Sequence, residues 1–373
     1  MELTEFLLYV VSPIIFAVYF LVERKYSYFS NRNILHMKPT LVLGNLDGLG
    51  TKYHFSDKIK IIYDEFKGKD VIAGMYQSII PALIVTDLDL VRTITVKDFS
   101  SFMDRGVFYN EKNEPISAHL FAIEGEKWKF LRNKLSPTFT SGKMKMMYNT
   151  IADKGTNFVE AINHYNSEAV EVKKLAMRFT VDVIGSCAFG IEFDTLKNEE
   201  AEIIKVSNEI FKAKGFEQFY LFFLFAFKYI SLKLNLRQFS HNVENYFSGV
   251  IKSQMEYREN NNVKRNDFLD MLIQLKTTGT IDGEISSTTR KFTVDEVIAQ
   301  AFIFYFAGFE TSSTALSFTI GELADHTDIQ ERARAEVLEK IKETNGDITY
   351  DSLHEMKYLN QVVNGEIISS FIF

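Results

Sequence analysis

Apolar residues occupy every face of a helix over residues 294–324, including Ile298, Ala301, Phe302, Ile303, Phe304, Tyr305 and Phe306. Thr293 to Glu296 read as a capping box, and no proline follows up to Ala324. The pattern predicts one uninterrupted helix, roughly 45 Å long, buried because it is apolar all round. At its middle stands Ala307-Gly308-Phe309-Glu310-Thr311, followed by Ser312, Ser313 and Thr314. A carboxylate in an apolar setting is costly unless it is neutral or paired, so Glu310 requires compensation. One reading is a core helix whose hydroxyls bond back to the preceding turn. The other is a site: Gly308 and Thr311 share a face with Ala307 and Phe304, giving a notch, a hydroxyl and an adjacent acid. Such a face suits a flat ligand and the movement of protons toward it.

The rest of the chain predicts a mainly α fold with a small β-sheet. Helical spacing covers residues 55–66. Residues 71–76 and 81–85 read as a hairpin. Asp87 caps a short helix over 88–96. Residues 98–123 form a long irregular stretch, and such stretches are often functional. After Lys127 the pattern is helical, with polar breaks near 163–170, 194–200, 260–266 and 276–292. A second capping box, Thr327 to Gln330, opens an amphipathic helix that ends at Asn345-Gly346.

Composition narrows the classes. The 373 residues are 46% apolar and 24% charged, which suits a globular core, and aromatics reach 14%, with 34 Phe. That aromatic share points to large apolar cavities or membrane contact. A net charge of −7 argues against nucleic acid as a partner. The single cysteine, Cys187, excludes disulfides within the chain and cysteine-clustered zinc sites, and it reads as a small core residue. The histidines show no ligand spacing, so no metal site is inferred from them. Residues 6–22 carry no charge and Glu23-Arg24-Lys25 follows them. We read residues 1–25 as an uncleaved membrane anchor with the body on the cytosolic side.

Two further groups invite chemistry. Trp128 and Arg132 are four apart and share a helix face; both are donors only, which suits an anionic ligand edge, although an Arg stacked on the Trp is the simpler alternative. Lys127, Lys129, Lys134, Lys143 and Lys145 form either a solvated face or a docking face for an acidic partner. Residues 219–227, nearly all aromatic or leucine, are too short to span a bilayer. They read as a buried helix or as a segment dipping into the membrane.

Taken together, these pieces resemble the microsomal cytochrome P-450 haem-thiolate monooxygenases of the insect detoxification type. Asp104-Arg105-Gly106, residues 117–121, Trp128-Lys129-Phe130-Leu131-Arg132, residues 135–143 and Ala307-Gly308-Phe309-Glu310-Thr311 look like that family's motifs in order, over a match running from the anchor to Asn364. The resemblance implies a haem cofactor whose propionates meet Trp128 and Arg132. Ala307 and Gly308 would let haem and oxygen lie close to the helix. Glu310 and Thr311 would be the catalytic pair, holding the water and hydrogen bonds that deliver protons for O–O cleavage. Phe302, Phe304 and Phe121 would line a pocket for a lipophilic small molecule. NADPH-cytochrome P-450 reductase would be the partner, and the endoplasmic reticulum membrane the location.

The family pattern departs after Asn364, where Glu-x-x-Arg is expected. The chain reads Gly365-Glu366 and then Ser369 at the arginine position, and the cysteine loop does not follow. The expected organisation is therefore an anchor at 1–25, a partial cytochrome P-450 domain at 26–364 lacking the C-terminal haem-thiolate segment, and an aberrant tail at 365–373. Gly365-Glu366 is what an exon ending in G, followed by a retained intron beginning GTGAG, would encode; genomic sequence without that junction would end the idea. Since the thiolate drives O–O cleavage, this chain is expected not to run the cycle alone. The alternative is a non-catalytic membrane protein that holds a lipophilic ligand or occupies the reductase.

Overall fold

The computed structural model describes residues 9, 11–165, 169–212, 215–281 and 290–371, with side chains to residue 365. The chain divides into two compact units, residues 1–103 and 104–372.

The first unit holds α1 (Ser12–Tyr26), α2 (Phe55–Phe66), the antiparallel strands β1 (Ile72–Gln77) and β2 (Ile80–Val85), and α3 (Leu88–Arg92). The hairpin register pairs Ile72 with Val85 and Gln77 with Ile80. Asp87 caps α3 by accepting from the Leu90 N–H at 2.8 Å, as its sequence position predicts. Helical backbone then continues to Lys97 as a π-helical turn. α1 runs straight through Glu23-Arg24-Lys25, and only Val22 and Tyr26 on it are buried, against Phe29 and Tyr76. Residues 1–8 and 10 of the expected anchor lie outside the described residues. No helix among the described residues is long and apolar enough to cross a membrane.

The second unit contains α4 (Gly125–Leu135), α5 (Ser141–His164), α6 (Val172–Ile184), α7 (Glu202–Ile210), α8 (Phe216–Ala226), α9 (Lys228–Lys233), α10 (His241–Asn261), α11 (Phe268–Thr277), α12 (Val294–Asp325), α13 (Thr327–Glu343), α14 (Tyr350–Glu355) and α15 (Lys357–Phe371). α12 is the axis, with α6 and α10 packed on it. Its 32 residues span about 48 Å. Thr293 accepts from the Glu296 N–H, and the Glu296 carboxylate accepts from the Thr293 N–H, so the capping box forms.

Two expectations are corrected here. α12 is enclosed on all sides only from Glu296 to Phe302; Ala307, Thr311 and Ser312 are exposed, so from its middle one face is open. Thr327 does not cap α13: His326 stands between the helices, and Gln330 donates to the Leu323 carbonyl instead. Of the two readings of the aromatic helix α8, the buried one does not hold, because only Leu224 is enclosed while Phe216 and Phe219 are exposed.

Residues 104–124 carry no regular element beyond a 3-10 turn, Pro115–Ser117. They are fixed by polar ties. Gln300 on α12 accepts from the Leu120 N–H at 2.8 Å. The fully buried Glu114 carboxylate accepts from the Phe239 N–H at 2.6 Å and the Gln238 N–H at 3.0 Å. Burial pushes its pKa up to about 6, against these hydrogen bonds and nearby Arg237, which favour the ionised form.

Candidate functional site

The open face of α12 forms one wall of a cavity of about 410 Å³. It is lined by Ile303, Phe304, Ala307 and Gly308 of α12, Ile184 of α6, Trp128 and Arg132 of α4, and Arg105, Leu120, Phe121 and Phe139. Periodicity explains how α4 serves it. Trp128, Leu131 and Leu135 bury one stripe, and Arg132, one turn beyond Trp128, projects into solvent at the rim. Arg105 comes from the irregular segment, its guanidinium lying 5.1 Å from the Phe121 ring and 5.7 Å from the Trp128 ring. The cavity is therefore bipolar, with two guanidiniums and an indole at one end and aliphatic and aromatic walls elsewhere.

The structure brings together Trp128, Arg132, Ala307, Gly308, Phe121 and Phe304. Phe304 is held in a stack, 5.3 Å from Phe139 and 3.9 Å from Phe268 between ring centroids. Phe302 is not part of this wall. It is fully buried on another face of α12, among Phe239, Phe247 and His119, because the helical turn carries it into the core. His119, enclosed beside it, has its pKa pushed down to about 4 by burial.

Glu310 and Thr311 do not work against a common point. Glu310 turns toward α6, where the Lys173 ammonium donates to its Oε1 at 2.9 Å, to Ser313 Oγ at 2.9 Å and to Thr314 Oγ1 at 2.6 Å. Lys173 is the compensating partner that the sequence requires. Thr311 is exposed, and its hydroxyl donates to the Ala307 carbonyl at 2.7 Å. The following hydroxyls bond back in the same way, Ser313 and Thr314 to the Glu310 carbonyl and Ser317 to Ser313. The run of hydroxyls thus stabilises the helix's own carbonyls, as the simpler reading holds, while Ala307 and Gly308 border a cavity.

Replacing Lys173 with methionine is expected to lower stability by about 1 kcal/mol, a small figure because both partners of the pair are partly exposed. Adding Glu310→Gln should recover most of that loss. Urea unfolding of the two variants checks this, and equal losses would contradict the pairing.

Sequence reasoning missed Phe139, Ile184, Ile303 and Lys173, and it reached Arg105 and Leu120 only as part of the 100–121 loop that the resemblance gives to the pocket. Arg105 and Leu120 lie where no periodicity exists to point them anywhere. Lys173 gives no signal because its partner is 137 residues away. The lysine group is also less free than its sequence suggests. Lys127 pairs with Glu111, and Lys145 pairs with Asp351 at 2.7 Å.

The second unit is thus a mainly helical body with a trough along one long helix, polar at Arg105, Trp128 and Arg132 and apolar elsewhere. The Cytochrome P450 family model matches residues 36–366. Cytochrome P450 6A1 of Musca domestica is 39% identical over 98% of this chain and 71% of its own length. Cytochrome P450 6a8 of Drosophila melanogaster is 38% identical over 98% of this chain and 72% of its own. Cytochrome P450 6a2 of the same fly is 35% identical over 96% and 72%. The chain belongs to the cytochrome P450 family, a family of oxidoreductases, monooxygenases whose cofactor is haem.

The cavity's chemistry fits a porphyrin. Arg105, Arg132 and the Trp128 indole match a carboxylate-bearing edge, and the rest matches an apolar macrocycle. Among the described residues, no cysteine or histidine lines the cavity, so none of its walls supplies an axial ligand. Cys187 is buried in a π-helical turn, Gly185–Phe189, and burial pushes its thiol up to about 11.

Proposed function

We propose that the trough on α12 seats haem, with Arg105, Trp128 and Arg132 holding its propionate edge and Ala307 and Gly308 admitting its face. The observation carrying this reading is the lining, in which the Arg105 guanidinium lies 5.7 Å from the Trp128 ring, Arg132 follows one turn along α4, and the remaining residues are apolar. Haem, when bound, supplies one-electron and oxygen chemistry. The chain's own residues bind, orient and exclude water: Phe304 and Phe121 present apolar surface to a lipophilic small molecule, and Thr311 holds a hydroxyl on the same open face. Glu310, paired with Lys173, would have to leave that ion pair to pass a proton.

By this reading the monooxygenase inserts oxygen into lipophilic or xenobiotic compounds, with electrons from NADPH through NADPH-cytochrome P-450 reductase. Lys129, exposed and only loosely paired with Glu126 at 3.9 Å, and Lys134 would face it. We place the protein at the endoplasmic reticulum membrane with its body toward the cytosol. The uncharged stretch at 6–22 and the exposed aromatic face of α8 support that location.

A second reading has one observation in its favour. The only sulfur that could act as a thiolate is Cys187, enclosed and away from the trough. We propose that these 373 residues alone hold a ligand, or occupy the reductase, without turnover.

Trp128 is the sole tryptophan, so the test is direct. Hemin titration should quench its emission in step with the change in the haem's own absorption. An absorption change with no loss of emission would put the haem elsewhere.

A further inference from the structure

We infer that Ile184 is the residue that fixes how closely a flat ligand can lie against α12 at Gly308. The inference rests on the haem reading for its ligand; the packing does not. A β-carbon built on Gly308 would lie 2.9 Å from Ile184 Cδ1 and 3.2 Å from Cγ1, but 3.8 Å from Cβ. The notch left by the glycine is thus filled from α6, and the outer end of Ile184 fills it. Ile184 also lines the trough beside Ile303 and Phe304. Gly308 is therefore small for two reasons at once: it receives Ile184, and Ile184 in turn forms the floor that a ligand meets.

That floor is fixed in place. α6 ends at Ile184, and the chain passes directly into the π-helical turn Gly185–Phe189. Such turns are uncommon and re-aim the side chains around them, often at functional sites. Gly185 cannot accept a side chain, because its β-carbon would lie 2.5 Å from Phe193 Cδ2. The far end of the turn is held by Arg258 Nη2, which donates to the Phe189 carbonyl at 2.7 Å. Ile184 is β-branched and stiff at χ1, so only its δ-methyl can swing. Thr180, one turn earlier on α6, donates to the Phe309 carbonyl at 2.9 Å and keys the two helices in register.

The test uses the full chain in four forms: wild type, Gly308→Ala, Ile184→Val and the double variant. Alanine favours a helix over glycine. With Ile184 in place, the added methyl must displace the δ-methyl, so Tm should stay level or fall. In the Ile184→Val background only the 3.2 Å contact to the γ-carbon remains, so the same substitution should be more favourable there than in wild type by about 1–2 °C in Tm. Equal shifts in the two backgrounds would overturn the contact. Hemin titration then reads the ligand side. Ile184→Phe should weaken hemin binding by at least about tenfold and Ile184→Val by no more than about twofold, since only the former fills the floor. Unchanged binding in Ile184→Phe would overturn the inference. If hemin binds no form, the haem reading falls, and the wall is decided by the Tm cycle alone.

Discussion

Replacing Arg258 with alanine should cost about 3–5 kcal/mol of stability, the largest loss expected from a single change in this chain. Arg258 and Asp267 are almost fully enclosed, with 1% and 7% of their side chains exposed. The guanidinium grips the carboxylate through two hydrogen bonds of 2.6 Å and donates a third to Phe189. Removing it leaves the buried carboxylate with only the more distant Arg265 as a cation, at 3.5 Å, and the Phe189 carbonyl with only the Gln254 amide, at 3.3 Å. Asp267 also caps α11 by accepting from the Asp270 N–H at 3.0 Å, so its own disturbance would spread into that helix. The damage would extend toward the trough, because the Phe189 carbonyl anchors the turn that aims Ile184. Urea unfolding measures the loss, and one below about 1 kcal/mol would contradict the burial argument.

Combining Arg105→Ala with Arg132→Ala is expected to weaken hemin binding by about a hundredfold. A hydrogen bond to a charged group contributes about 1.5–3 kcal/mol, and both guanidiniums are exposed, which places each near the lower end, or about tenfold. The hundredfold figure takes the two losses as additive; because both groups hold one ligand, the double variant is read against each single one. Arg105 also lies over Phe121 and Trp128, so its removal loosens that end of the cavity as well. Lysine at both positions should recover only part of the loss, because it keeps the charge without the planar fork. The advantage of wild type should shrink as salt is raised. Absorption titrations give the ratio, and an unchanged Kd would remove the arginines from the site.

How much of this was readable in advance depended on whether a residue belonged to a regular element. The α12 capping box, the Asp87 cap, the hairpin and the shared face of Trp128 and Arg132 follow from local rules, and the structure reproduces them. Phe302 and Phe304 differ by two residues on one helix that is apolar on every side. Nothing in such a pattern says which face meets a cavity, so one lines it and the other packs in the core. Glu310 could be recognised as needing a partner, but Lys173 could not be named, because α6 and α12 are brought together only by the tertiary fold. Arg105 lies in a segment with no period, and only the resemblance drew notice to its surroundings. The Thr327 box failed for a local reason: the turn after α12 leaves His326 at the helix start and diverts Gln330 to the Leu323 carbonyl.

On the haem reading, the trough seats haem while its described walls offer no thiolate. The decisive measurement is a reduced carbon-monoxide difference spectrum of the hemin-loaded 373-residue chain, with Cys187→Ser alongside. The expected result is a bound-haem spectrum without a thiolate-type Soret band, identical in the two proteins. A thiolate-type band that disappears in Cys187→Ser would contradict it, because Cys187 would then have to leave its buried turn and reach the iron.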